Sequence, residues 1–367
     1  TVGATATNLG GAILAKTGSS TISGGALQAG STGLLYFHTV GSLTVNSSLL
    51  GSGGLVKADS GTLTLNKSGT ITGAGFDLTL AGAGNGSLST AIGTGAGALF
   101  KTGAGTWTIS GVSAFTGPTT IIAGTLTIGG AGQLGSGNYI AEITNNTVLT
   151  YDSSAAQKLG GIISGDGALN YAGAGSLTLS GPASNTYTGM TTHASYAAGA
   201  TQFILSKTAN TVAIPGDFTF NTGGVRGILS VMSNNQFSAS TVMRWTAPGT
   251  GADGRFEIKG TTQTLAGIDN TGFAGTYSCI QHSEFGTPAA VSAVSTLILG
   301  GSGSYYFGTA NGSLRNYNGG TLVLTKNGSG TQTLAGAGIT YTGATTVNQG
   351  RLVLSAGAAT FSSTTYT

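Results

Sequence analysis

Lys101-Thr-Gly-Ala-Gly-Thr-Trp-Thr-Ile-Ser-Gly111 decides the fold, because the chain says it more than once. The phrase returns as Tyr171-Ala-Gly-Ala-Gly-Ser-Leu-Thr-Leu-Ser-Gly181 and as Lys326-Asn-Gly-Ser-Gly-Thr-Gln-Thr-Leu-Ala-Gly336. After a short insert each copy continues in kind, with Phe115-Thr-Gly-Pro-Thr-Thr-Ile121, Tyr187-Thr-Gly-Met-Thr-Thr-His193 and Tyr341-Thr-Gly-Ala-Thr-Thr-Val347. Two copies close on Gly124-Thr-Leu-Thr-Ile128 and Gly350-Arg-Leu-Val-Leu354, and looser echoes stand at Gly41–Val45, Gly61–Leu65 and Thr261–Gly267.

Thr-Leu-Thr-Leu alternation sends Leu, Ile and Val to one face of an extended strand and β-branched Thr to the other. A strand of about five residues cannot bury its apolar side alone, so such units must stack on one another. Glycine at each corner fits, since tight corners require positive φ or close backbone approach. The expectation is an all-β chain, a right-handed parallel β-helix (β-solenoid) built from Gly-cornered short strands, with a β-sandwich as the alternative. At the usual strand spacing it would be a single elongated solenoid of about fifteen coils, roughly 70–80 Å long.

Composition agrees. The chain has 367 residues, of which 6% are charged and 39% hydrophobic, with 67 Gly and 5 Pro. Collagen is excluded by the absence of a Gly-X-Y period, and disorder by the hydrophobic content. Thirteen basic residues are scattered singly in a chain of net charge +3, leaving no stripe to meet a phosphate backbone, so no nucleic-acid partner is expected. Cys279 stands alone, excluding an internal disulfide framework and reading as a small buried thiol. No stretch approaches the ~20 apolar residues of a membrane span. Thr1 stands where an initiator Met would be, and the chain reads as a processed or truncated mature region.

These blocks resemble the autotransporter-associated β-strand repeat, or passenger-associated transport repeat, of bacterial cell-surface proteins. The resemblance is carried by the run from 101 to 111 and by Tyr-Thr-Gly-Ala-Thr-Thr-Val-Asn-Gln-Gly-Arg-Leu-Val-Leu at 341 to 354. It implies a right-handed parallel β-helix exported to the outside of a Gram-negative-type cell. Repeat texture divides the chain into 1–194, an irregular, aromatic-richer stretch at 195–294, and 295–367.

Chemistry is sparse. Ten carboxylates form no convincing pair, and Asp166 and Asp253 sit in turn-like Gly-rich contexts. A polysaccharide-cleaving β-helix would need carboxylates and basic groups brought together by stacked coils, and the sharpest candidate cluster is Arg244, Asp253, Arg255 and Glu257. His38, His193 and His282 lack metal-ligand spacing, and His193 takes the place of Ile121 and Val347, a strand position. Gly130-Ala-Gly-Gln-Leu-Gly135 matches a dinucleotide fingerprint by letter only, because strand-like Asn138–Thr144 follows where a helix must begin.

The expected function is that of an extracellular structural protein, a rigid surface rod or fibre subunit, and not of an enzyme; no cofactor is expected. Partners would be copies of itself, joined head to tail through terminal strands at Val2, Ala4, Leu352, Leu354, Phe361 and Tyr366. The alternatives are a cell-surface adhesin or glycan-binding module and, third, a carbohydrate-active enzyme.

Overall fold

The computed structural model describes residues 12–15, 18–28, 34–50, 54–66, 70–72, 75–194, 201–223, 226–246, 251–283, 290–308 and 312–355. Over them the chain is an all-β parallel solenoid of about 12 turns. Every ladder between its described strands is parallel, which removes the antiparallel sandwich. The turn count is lower than the expected fifteen because some coils are long: Leu205 pairs with Val231, and Ile280 with Leu314, 34 positions later. The chain forms two compact units, Thr1–Leu169 and Asn170–Thr367.

In the first unit the strands Ser42–Val45, Thr62–Leu65, Gly86–Leu88, Thr106–Ile109, Thr125–Gly130 and Val148–Ser153 lie side by side. Their register stacks Leu43, Leu63, Gly86, Trp107, Leu126 and Leu149 in one inward row and Val45, Leu65, Leu88, Ile109, Ile128 and Tyr151 in the next. None of the side chains in these rows is more than 2% exposed. Between them, Thr44, Thr64, Ser87, Thr108, Thr127 and Thr150 form an outward row. Gly86 interrupts the apolar row for a reason of volume: a Cβ there would come 2.5 Å from the Trp107 indole stacked beside it.

Corners are glycine because backbone passes over backbone. A Cβ on Gly105 would lie 2.1 Å from the carbonyl oxygen of Gly84, one coil back, and Gly124, at φ +71°, would put its own 2.4 Å from that of Gly105.

In the second unit one sheet runs Leu177–Gly181, Thr201–Lys207, Arg226–Val231, Asp253–Glu257, Tyr277–Gln281, Gly312–Arg315 and Gly338–Ile339. Its core row is Leu177, Phe203, Leu229, Phe256, Ile280, Leu314 and Ile339. Leu126, Ile128, Leu177 and Leu179 therefore point inward as the alternation requires. Leu352 and Leu354 do not follow them: the first is half-buried and the second is 39% exposed. Their strand, Arg351–Leu354, is the edge of the sheet Ser304–Phe307, Thr331–Leu334, Arg351–Leu354, so among the described residues only one side of it is paired.

Candidate functional site

Of the six residues expected to join chains, Val2, Ala4, Phe361 and Tyr366 lie outside the described residues. Leu352 and Leu354 stand on the edge strand, paired to Gln332 and Leu334 on one side.

A second place concentrates charge. On strand Asp253–Glu257, Phe256 faces the core while Asp253, Arg255 and Glu257 alternate onto the other face, and all five residues are buried. Asp253 is not a turn residue, as its Gly-rich setting suggested; two guanidiniums neutralise it and hold it in the strand. Arg226 Nε donates to Asp253 Oδ2 at 3.0 Å, and Arg255 donates from Nε and Nη2 at 2.7 and 2.8 Å. Burial alone would lower the pKa of Arg255, but the hydrogen bonds and charge of Asp253 outweigh it and raise it, so the guanidinium stays charged. Arg255 also lies 5.4 Å from the ring of Tyr277, the residue stacked on Asp253.

Two positions along, Glu257 is fully buried. Lys259, also fully buried, reaches it at 3.0 Å, Ser230 donates at 3.1 Å and Gln281 at 3.4 Å. Lys259 adopts φ +49°, a left-handed conformation unusual for a lysine and held here by the ion pair and by a 3.1 Å bond to Ser283. Arg315, one coil further, donates to Gln281 at 2.7 and 3.0 Å and lies 4.6 Å from the ring of Tyr317. Such a network is costly to bury and stable only while each charge keeps its partner.

Three members of the expected cluster are thus brought together. Arg244 is not: it is on Val242–Trp245, in a different sheet, and pairs with Asp217. Sequence reading missed Arg226, Ser230, Lys259, Gln281 and Arg315, since only coil stacking places them there. Nearby, His282 Nδ1 lies 2.9 Å from Ser295 Oγ, the distance of a nucleophile and its base. Burial, then Lys259, lowers the His282 pKa, so the ring is neutral at pH 7. Ser295 has no exposed surface and its hydroxyl already accepts the Gly260 N–H at 2.9 Å, so the pair is a packed tie. Among the described residues no three His, Cys, Asp or Glu converge as a metal set.

Comparison with known proteins follows the same stretches. The model of the passenger-associated transport repeat matches residues 55–76, 99–128, 169–192 and 324–354. The chain carries four copies of this repeat. It is similar to an adhesin, the BmaC autotransporter of Brucella suis biovar 1 (strain 1330), with 39% identity over 123 residues. That stretch is 32% of this chain and 3% of the relative, so the chain spans a small part of that protein's length. No solved structure matches.

The repeat has a structural signature beyond its strands. At the start of each copy's Gly corner a long side chain plugs the turn carbonyls. Lys57 donates to Asp59 O at 2.8 Å; Lys101 to Thr102, Gly103 and Ala123 at 3.1, 2.7 and 2.8 Å; Lys326 to Gly328. In the third copy Tyr171 replaces Lys and its hydroxyl donates to Gly175 O at 3.0 Å. A second tie crosses the Tyr-Thr-Gly-x-Thr-Thr turn, where Tyr187 meets Thr191 and Tyr341 meets Thr345, both at 2.6 Å. Phe115 lacks the hydroxyl, and Tyr139 of the neighbouring coil supplies it to Thr119 at 2.8 Å.

The other sequence candidates resolve simply. Cys279 is fully buried, burial pushing its thiol up to about 11, and it contacts Gln281 at 3.3 Å. After Gly130 the dinucleotide-like stretch makes one short 3₁₀ turn at Gly135–Gly137 and returns to a strand, so no helix N-terminus faces a phosphate. His193 does occupy a strand position, in Thr191–His193.

Proposed function

We propose that the chain is a scaffold segment of a passenger displayed on the bacterial cell surface, a stack of coils that carries and spaces other exposed elements. The observation behind this reading is the register: like residues lie over like from coil to coil, and each repeat corner is tied by Lys or Tyr. Stability of that kind is a sum of nearest-neighbour terms and requires no ligand. The surface location rests on the transport repeats and on the adhesin relative. The test is to display an epitope tag on cells with and without this chain between the tag and its membrane anchor. Loss of antibody access to the tag on removing the chain supports a spacer; unchanged access refutes it.

A second reading has its own observation. Tyr277 and Tyr317 are 37% and 42% exposed, each beside an arginine, an arrangement suited to stacking on sugar rings. Binding to a glycan array that disappears in Tyr277→Ala and Tyr317→Ala would favour an adhesive role. Head-to-tail growth is a further proposal resting on the edge strand Arg351–Leu354, and sedimentation of the chain with and without Leu354→Lys tests it.

A further inference from the structure

His193 is a histidine where its sister repeats carry an aliphatic side chain, Ile121 or Val347. Strand Thr191–His193 pairs with Phe218–Phe220, which pairs with Val242–Trp245, so His193, Phe220 and Trp245 form one inward row. The imidazole has no exposed surface. Its ring centroid lies 4.7 Å from Tyr171, 5.7 Å from Phe220 and 6.5 Å from Phe203, and Phe220 stacks on Trp245 at 5.3 Å. Neither ring nitrogen has a hydrogen-bond partner, and the hydroxyl of Thr222 is buried in the same condition. The two side chains close on one spot: a Cβ on Gly227 would lie 2.7 Å from His193 Cε1 and 2.6 Å from Thr222 Cγ2.

We propose that His193 is an acid-sensitive latch: neutral, it packs as a hydrophobic side chain and closes this part of the second unit; protonated, it drives the coil open and bares the aromatic row. The charged groups on the packed strands do not offset the new charge. Tyr171 is the titratable residue in ring contact, and its hydroxyl is turned to Gly175 O. Lys207 is directed at Ser180 O and Ala183 O, Arg226 at Asp253, and Arg244, on the strand of Trp245, at Asp217 beside Phe218–Phe220. The contact with the Tyr171 ring is too weak to replace the hydration an imidazolium loses. Consistent with this, burial lowers the pKa of His193 to about 3, the backbone of Ile228 opposing it without overcoming it.

The sign follows. With its folded-state pKa below the unfolded value of about 6.5, the histidine leaves stability intact above pH 6.5 and erodes it as pH falls. Each pH unit raises the opening constant up to about tenfold, or about 100-fold by pH 4.5.

Hydrogen exchange on the full chain, corrected for intrinsic rates, reads this directly. Between pH 7.5 and 4.5, protection at 191–193, 218–220 and 227–231 should fall by about 100-fold, while 106–109 and 125–128 change little. His193→Val should abolish the difference, and equal acid opening in that variant overturns the proposal. Should the variant fail to fold, ¹³C-labelled histidine in the unmodified chain decides. A His193 resonance titrating near pH 6.5 in the folded state refutes the latch; one that stays neutral until the coil opens supports it.

Discussion

Replacing Lys101 by Met measures what holds a repeat corner. The Lys101 side chain has no exposed surface, and its ammonium donates to the carbonyls of Thr102, Gly103 and Ala123, the last in the next coil. Hydrogen bonds to a charged group contribute about 1.5–3 kcal/mol each, so three amount to roughly 4–9 kcal/mol gross. Burial opposes them, pushing the Lys101 pKa from 10.5 down to about 8, which corresponds to about 3 kcal/mol against the charged form. Met keeps the stem and removes both effects, so the expected loss at pH 7 is about 2–4 kcal/mol once water reaches part of the vacated corner. Denaturant unfolding followed by Trp107 fluorescence, in a Trp245→Phe background, reads the loss in the unit concerned. Lys101→Tyr, which copies Tyr171, should recover about half of it. The folded pKa is depressed, so between pH 8 and 10.5 the unfolded chain binds more protons at Lys101 and this residue makes wild-type stability rise with pH; in Lys101→Met that contribution is lost, while Lys57 of the same unit, also lowered by burial, keeps its own. A Met variant as stable as wild type, or a Tyr variant no better than Met, refutes this account of the corner.

Leu179→Ala should destabilise by about 2–5 kcal/mol through a cavity between Leu177, Leu205 and their neighbours, whereas Thr178→Ala, on the outward side, should cost well under 1; calorimetry of the two variants gives the ranking. Gly105→Ala should prevent close stacking on Gly84 and lower the melting temperature of the first unit, while Gly18→Ala, with open space around its Cβ, should show only the smaller penalty of its positive φ. Glu257→Ala should cost about 3–5 kcal/mol by stranding Lys259, and adding Lys259→Met should restore most of that; additive losses in the double variant would show that the two charges are not coupled.

Much of this molecule is legible in short stretches. Thr106-Trp-Thr-Ile109 states a strand and which side of it is buried, and Gly103 and Gly105 state where the chain turns into it, because both depend on local sterics and on a period of two. The repeated phrase adds that strands must stack, since none can bury its own apolar side. In the repeats, the corner position held by Lys57, Lys101, Tyr171 and Lys326 could have been noticed, as each stands just ahead of a Gly-containing turn. The alternation misjudged Leu354, because a pattern of two cannot say whether a strand has a neighbour on both sides.

The sequence by itself determined strand, face, corner and stacking in the repeats, all of them consequences of side-chain shape and spacing within about ten residues. Tertiary structure alone decided which polar residues meet. Arg226, Asp253 and Tyr277, or Ser230, Glu257, Gln281 and Arg315, are neighbours because parallel stacking sets residues 24 to 34 positions apart in register. It decided too that His193 would be sealed among Tyr171, Phe203 and Phe220, whereas Val347, in the equivalent place, remains 36% exposed. Coil length fixes that register. It varies from one turn to the next, and only the closing of each coil on the one before it selects the value.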